Sequence, residues 1–188
     1  MYSKRHLIVP LALSLGAFSQ GTFAVSNIDS CRTITSSGSF RLTRNLTANG
    51  DCLVIQANNV SINLQGHTLT GNGTGAGVTA GDDTLRSGIA IRNGVVTNFS
   101  DGIDLAFVQG AVVEGVRAIP ITDIGIRVGE GSVVSASVVV NVNDAPAIQV
   151  QCPSAVIGNA VTGSGIGVAF IDFLGANCED SQNAPPTR

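Results

Sequence analysis

Few side chains in this sequence are equipped for chemistry, and their spacing narrows the options. Four cysteines, Cys31, Cys52, Cys152 and Cys178, are present without a C-x-x-C motif. Beyond His6 the only histidine is His67, so a zinc site would lack nitrogen and sulfur ligands at usable spacing. No G-x-S-x-G elbow supports a Ser-His-Asp arrangement. Gly73-Thr-Gly-Ala-Gly77 has the look of a phosphate loop, but no helical pattern follows it, and it reads as a flexible turn. The N-x-S/T sequons that begin at Asn45, Asn59, Asn72 and Asn98 read as turn and ladder residues, and His67 as a structural histidine in a turn. Asn93 and Asn159 are expected in turns, where asparagine tolerates left-handed backbone.

The elements that position these residues are set by composition and by an address at the N-terminus. The 188 residues are 44% hydrophobic and 12% charged, with 23 glycines. That balance excludes a disordered chain and a coiled coil. Ten basic against thirteen acidic residues leave no phosphate-neutralising patch, so no nucleic acid is expected as a partner. Lys4, Arg5 and His6 precede an apolar run from Leu7 to Phe18, too short to span a bilayer, and Thr22-Phe23-Ala24 supplies a small-residue cleavage site. Residues 1–24 are therefore expected to be a signal peptide, residues 25–178 one domain, and residues 179–188 a polar C-terminal tail. The protein is expected to be secreted or periplasmic, without stable membrane insertion. An even cysteine count in such a chain favours disulfides.

The domain repeats itself. Short aliphatic alternations separated by Gly, Asn and Asp carry strand periodicity, and no stretch offers a helical stripe. A small-aliphatic-x-aliphatic pattern recurs at Gly77-Val-Thr-Ala, Gly102-Ile-Asp-Leu, Gly125-Ile-Arg-Val, Ala147-Ile-Gln-Val and Gly167-Val-Ala-Phe, with spacings of 25, 23, 22 and 20. A second strand keeps step: Ile91-Arg-Asn-Gly-Val aligns with Val112-Val-Glu-Gly-Val one repeat on, then with the stretches beginning at Val133 and Val156. Units of this length cannot bury their own apolar face and must stack. The absence of an L-x-x-L-x-L pattern and of a six-residue beat favours an all-β, right-handed parallel β-helix of about seven short coils. Ile103, Ile126, Ile148 and Val168 should form one inward ladder, and Leu105, Val128, Val150 and Phe170 the next. Thr79, Asp104, Arg127 and Gln149 should form an outward row, with Asp104 and Arg127 paired. The period also sorts the cysteines. Cys31 and Cys52 are one repeat apart, and Cys152 and Cys178 one long repeat apart, which puts each pair within disulfide reach on adjacent coils.

The stretch from Cys31-Arg-Thr-Ile-Thr through Gly38-Ser-Phe-Arg-Leu-Thr and Cys52-Leu-Val-Ile to Asn59-Val-Ser-Ile-Asn-Leu-Gln-Gly-His-Thr-Leu-Thr-Gly71, followed by Ile91-Arg-Asn-Gly94, resembles exported bacterial β-helix proteins of the pectate-lyase-like superfamily. The resemblance covers nearly all of the chain beyond the signal. It implies that any activity would be cleavage or epimerisation of uronate polymers, with acidic residues holding Ca²⁺ and a basic residue abstracting a proton. Asp101, Asp104 and Asp123 are the candidate carboxylates, and Arg92, Arg117 and Arg127 the candidate bases. Ca²⁺ needs six to eight oxygens, and strand alternation should point Asp101 and Asp104 to different faces. A hydrolase is disfavoured: the family's Gly-His-Gly is replaced by Gly66-His67-Thr68, and Asp82-Asp83 sits in a glycine-flanked loop. Beyond residue 24 the only aromatics are phenylalanines, and Phe40, Phe99, Phe107, Phe170 and Phe173 are expected to be buried or capping. The expectation is an exported, non-catalytic module with a structural or glycan-contacting role, its partner an extended polysaccharide and no cofactor required. The alternative is a small Ca²⁺-dependent lyase or epimerase built on Asp101, Asp104 and Arg127.

Overall fold

A computed structural model describes residues 24–141, 145–163 and 171–183. Among them there is no helix, and every paired strand runs parallel to its neighbour, in a β-solenoid of about six turns, close to the seven expected. The expected signal segment up to residue 23 lies outside the described residues, as do Val168 and Phe170.

Two long sheets wrap one core. The first passes through Val25–Ile28, Gly38–Leu42, Val60–Asn63, Ala90–Thr97, Val112–Ile121, Val133–Ser135, Ala155–Ile157 and Glu179–Ser181. The second passes through Arg32–Ile34, Leu53–Ile55, Ala76–Thr79, Asp101–Leu105, Ile126–Val128, Ile148–Gln151 and Ile171–Leu174. Short strands Arg86–Ser87 and Val108–Gln109 pair at one corner. Each turn alternates apolar and polar residues because one face of each strand meets the facing sheet and the other meets water.

The expected ladder forms along the second sheet: Val78, Ile103, Ile126 and Ile148 stack in register and are fully buried. Its last rung differs. Ile148 and Val150 lie beside Ile171 and Phe173, the places that the sequence pattern gave to Val168 and Phe170. The final turn is longer than the sequence pattern suggested, and Ile171-Asp-Phe173 repeats the apolar-polar-apolar order that the row requires. Gln149 thereby meets Asp172.

In the first sheet Val112 pairs with Val133 as the sequence aligns them, but two other pairings are one residue off the alignment. Ile91 pairs with Val113, and Gly94 with Val116, so Asn93 rather than Gly94 is level with Gly115. Likewise Val134, not Val133, pairs with Val156. A one-residue slip turns every side chain to the opposite face, and the buried Ile91, Val113, Val134 and Val156 select the register. Asn93 and Gly115 share left-handed backbone, with φ of 58° and 63°. Gly94 is needed for a different reason: a Cβ there would lie 2.2 Å from Cβ of Leu64 in the preceding turn.

Asn159 is not a left-handed turn residue. It is 1% exposed, its Oδ1 accepts the Ser137 N–H at 2.9 Å, and its Nδ2 donates to the Val134 carbonyl at 2.9 Å. Asn183 repeats the arrangement one turn on, accepting from Asn159 N–H at 2.8 Å and donating to the Val156 carbonyl at 2.8 Å. These side chains satisfy backbone groups that a corner of the solenoid would otherwise leave unpaired. Glu179–Ser181, expected to begin a polar tail, instead form the last strand, beside Ala155–Ile157.

Both expected disulfides are present. Cys31–Cys52 joins Cα atoms 4.5 Å apart and Cys152–Cys178 joins Cα atoms 5.0 Å apart. Each staples a terminal turn to its neighbour.

Candidate functional site

A cleft of about 320 Å³ runs along one flank of the second sheet. Asp51, Thr79, Asp82, Asp83, Asp101 and Asp104 line it together with Phe107. Three successive turns supply these groups: Asp51 from one, Thr79 and the 81–83 loop from the next, and Asp101, Asp104 and Phe107 from the third. Phe107 is 44% exposed, so it is neither buried nor capping; it offers its ring to the cleft. Phe99 is fully buried and Phe40 nearly so.

Asp101 and Asp104 open onto the same cleft, contrary to simple alternation. The strand breaks its pleat at Gly102. The N–H groups of Gly102 and Ile103 are consecutive, yet both donate to the following turn, to Ile124 O and Gly125 O at 3.0 Å each. Only glycine fits at position 102, because a Cβ there would meet the Gly125 carbonyl oxygen at 2.3 Å. The three-residue step from Asp101 to Asp104 then returns the second carboxylate to the first one's side.

Each of three carboxylates is anchored by the fold. Asp51 Oδ1 accepts the Ala76 N–H at 2.8 Å, Asp101 Oδ1 the Ile124 N–H at 3.3 Å, and Asp104 Oδ1 the Ala106 N–H at 3.3 Å. Burial in the cleft wall pushes the Asp101 carboxyl above its ordinary value, and the nearby charges of Asp123 and Asp104 push the same way, against Arg127. Asp104, Asp123 and Arg127 are thus close enough to Asp101 to act on its charge, although strand alternation was expected to part Asp101 from Asp104. Arg92 and Arg117 are not: both lie on the first sheet, where Arg92 pairs with Glu114 at 3.0 Å.

Arg127 is committed along its row. Its Nη1 meets Asp104 Oδ2 at 3.3 Å, its Nε donates to Gln149 Oε1 at 3.1 Å, and Gln149 Nε2 donates to Asp172 Oδ2 at 2.8 Å. The expected Asp104–Arg127 pair is therefore one step of a four-residue ladder across consecutive turns. With both partners about one-quarter exposed, the pair contributes on the order of 0.5 kcal/mol. No three His, Cys, Asp or Glu side chains among the described residues come together in a metal-holding group. The carboxylates line the cleft without converging on a point.

One residue escaped the sequence reading altogether. Arg86 is only 6% exposed and grips Asp82 with two nitrogens, at 2.5 and 2.9 Å, while Nη1 also donates to the Ala80 and Thr84 carbonyls. It holds closed the loop that brings Asp82 and Asp83 to the cleft. The four-residue Asp82–Arg86 spacing was the available signal, but that spacing reads as an ion pair only on a helix, and no helical pattern surrounds it. The Arg86 guanidinium holds the Asp82 carboxyl down to about 2. A depressed carboxyl stabilises the loop above the unfolded value, near 4, and that contribution disappears as pH falls through about 2. Asp101 has the opposite sign, since its raised carboxyl gains a proton first and its burial penalty is relieved on acidification. The Thr84 N–H, bonded to Asp82 Oδ1 at 3.1 Å, reports the loop. Its hydrogen exchange should stay slow at pH 4 in the native chain and become fast in Asp82→Asn; a carboxyl of Asp82 titrating near 4 by NMR would show that the ion pair does not form in solution.

Fold and cleft together define an all-β parallel solenoid with an acidic, aromatic-flanked groove. Compared with known proteins, the chain matches no family model, no curated protein and no solved structure.

Proposed function

We propose that this is an exported, non-catalytic β-solenoid module, akin to the pectate-lyase-like β-helix proteins, that contacts a neutral or amine-bearing glycan through the cleft. The observation that carries the reading is the cleft's composition: carboxylates from three turns beside the exposed Phe107 ring. Carboxylates accept hydrogen bonds from sugar hydroxyl and ammonium groups, and an aromatic face covers the C–H face of a pyranose. Two disulfides and a chain with no helix, among the described residues, long and apolar enough to cross a membrane fit an exported protein.

Uronate polymers fit less well. They bring a negative charge on each sugar to a groove already lined by five carboxylates. Of the two guanidiniums beside it, Arg86 is buried on Asp82, and Arg127 donates from Nη1 to Asp104 and from Nε to Gln149. Neither is poised to take an α-proton.

Affinity electrophoresis and calorimetry against neutral, amino-sugar and uronate oligosaccharides test the reading. Binding to the first two classes should weaken about tenfold in Phe107→Ala, a loss of about 1.4 kcal/mol. Absorbance from unsaturated product on polygalacturonate or alginate, dependent on Ca²⁺ and lost in Asp104→Ala, would replace this reading with the lyase.

A further inference from the structure

Asparagine followed by glycine is chemically labile, and the sequence has three such pairs: Asn49-Gly50, Asn72-Gly73 and Asn93-Gly94. For the side-chain amide to be lost, the asparagine Cγ must reach the next backbone nitrogen, and that nitrogen must be free to give up its proton. Glycine permits the approach because it has no Cβ and a wide choice of backbone angles. The fold treats the three pairs differently.

Two are locked. Asn72 Oδ1 accepts the Thr74 N–H at 3.2 Å and the Thr74 hydroxyl at 2.7 Å, while the Gly73 N–H donates to the Asn98 carbonyl at 2.7 Å. Gly94 is buried inside the strand Ala90–Thr97, paired with Val116, and the Asn93 carbonyl accepts the Gly66 N–H at 2.7 Å. Its close approach to Leu64 leaves that backbone no room to swing. The third pair is held by nothing. Asn49 is exposed in the bend between Leu46–Thr47 and Leu53–Ile55. Among the described residues, neither its side-chain amide nor the Gly50 N–H has a hydrogen-bond partner. Gly50 has a φ of 98°, and the space where its Cβ would stand is open for 4 Å.

We propose that Asn49 is a site of spontaneous deamidation in the folded protein, and that its conversion loosens the Asp51 wall of the cleft. The Gly50 nitrogen loses its proton to hydroxide and attacks Asn49 Cγ. As the N–Cγ bond closes a succinimide ring, the Cγ–Nδ2 bond breaks, and Nδ2 takes a proton from water and leaves as ammonia. Water then opens the ring. Attack at Cγ leaves aspartate, and attack at the main-chain carbonyl leaves isoaspartate; nothing is oxidised or reduced. Either product adds a carboxylate two residues before Asp51. Isoaspartate also adds an atom to the main chain between two fixed points. On one side the Ala48 N–H donates to the Thr70 carbonyl at 2.9 Å; on the other the Cys52 N–H donates to the Ala76 carbonyl at 3.0 Å, and Cys52 is bonded to Cys31. The added length must be absorbed between them. There Asp51 holds the Ala76 N–H, and Gly75 packs so closely that a Cβ on it would lie 2.4 Å from the Gly50 carbonyl carbon. The site depends on this turn alone, so its test stands apart from glycan binding.

The test is peptide mapping by mass spectrometry of the chain held in mildly alkaline buffer for increasing times, folded with its disulfides intact and, in parallel, reduced and unfolded. In the folded chain Asn49 should exchange amide for acid at least about tenfold faster than Asn72 or Asn93, whose hydrogen bonds must open first. In the unfolded chain the three should convert at similar rates, since glycine follows each. Asn49→Gln, whose longer side chain closes a less favoured ring, should remove the first acidic species to appear on ion exchange. Asn72 or Asn93 keeping pace with Asn49 in the folded chain would overturn the proposal. So would an Asn49 that stays intact for a time that converts it in the unfolded chain, or an early acidic species that persists in Asn49→Gln. Hydrogen exchange reads the consequence: the Ala76 amide should exchange faster in the isoaspartate fraction than in the unconverted chain, and unchanged exchange there would overturn the loosening of Asp51.

Discussion

Replacing Ile126 by aspartate should unfold the solenoid. Ile126 is fully buried between Ile103 and Ile148 in the inward ladder of the second sheet, within a core of aliphatic side chains. A carboxylate there has no partner. The loss of a buried isoleucine and the desolvation of the polar group together cost at least about 4 kcal/mol. That is most of the stability of a marginal domain. Arg127→Ala, one residue away and facing outward, removes a quarter-exposed ion pair and one hydrogen bond and should cost under about 1 kcal/mol. Urea denaturation of both variants checks the contrast. Equal midpoints would mean that the inside and outside of this strand are exchanged.

The second large effect concerns the staples. Cys31→Ser with Cys52→Ser, and separately Cys152→Ser with Cys178→Ser, opens a loop whose ends are 21 or 26 positions apart. Loop-closure entropy puts each loss at roughly 3 kcal/mol. The position of the bridges adds a directional expectation. A terminal turn has one neighbour instead of two, so it frays first in a linear stack. Hydrogen exchange should therefore quicken in Arg32–Ile34 for the first variant and in Glu179–Ser181 for the second, while the central strands Asp101–Leu105 and Ile126–Val128 keep more of their protection. Uniform loss of protection would show that the column unfolds as one unit and that the bridges do not act locally.

How much of this was legible beforehand depends on which forces set each feature. The short repeat, with aliphatic alternation inside it, determined the parallel solenoid, its inward ladders in the second sheet and both cysteine pairings. A stack transmits its period directly into spatial neighbours, so Asp104 and Arg127, one repeat apart, could be paired from the sequence. Register in the first sheet was legible only in part: Val112 does pair with Val133, but aligning Gly94 with Gly115 maximises identity, whereas the pleat obeys burial and aligns Ile91 with Val113. The last turn was misjudged for a similar reason: turn loops vary in length, and Gly167-Val-Ala-Phe resembles the repeat while Ile171-Asp-Phe carries it in space. The cleft was decided by tertiary structure alone. Its carboxylates come from residues as far apart as Asp51 and Asp104, and they share a wall because Gly102 breaks the strand's alternation and Arg86 folds the 80–87 loop inward. A local pattern specifies which residues are apolar and how often they recur. Where variable loops bring their polar tips depends on backbone bends and buried contacts that only the assembled column supplies.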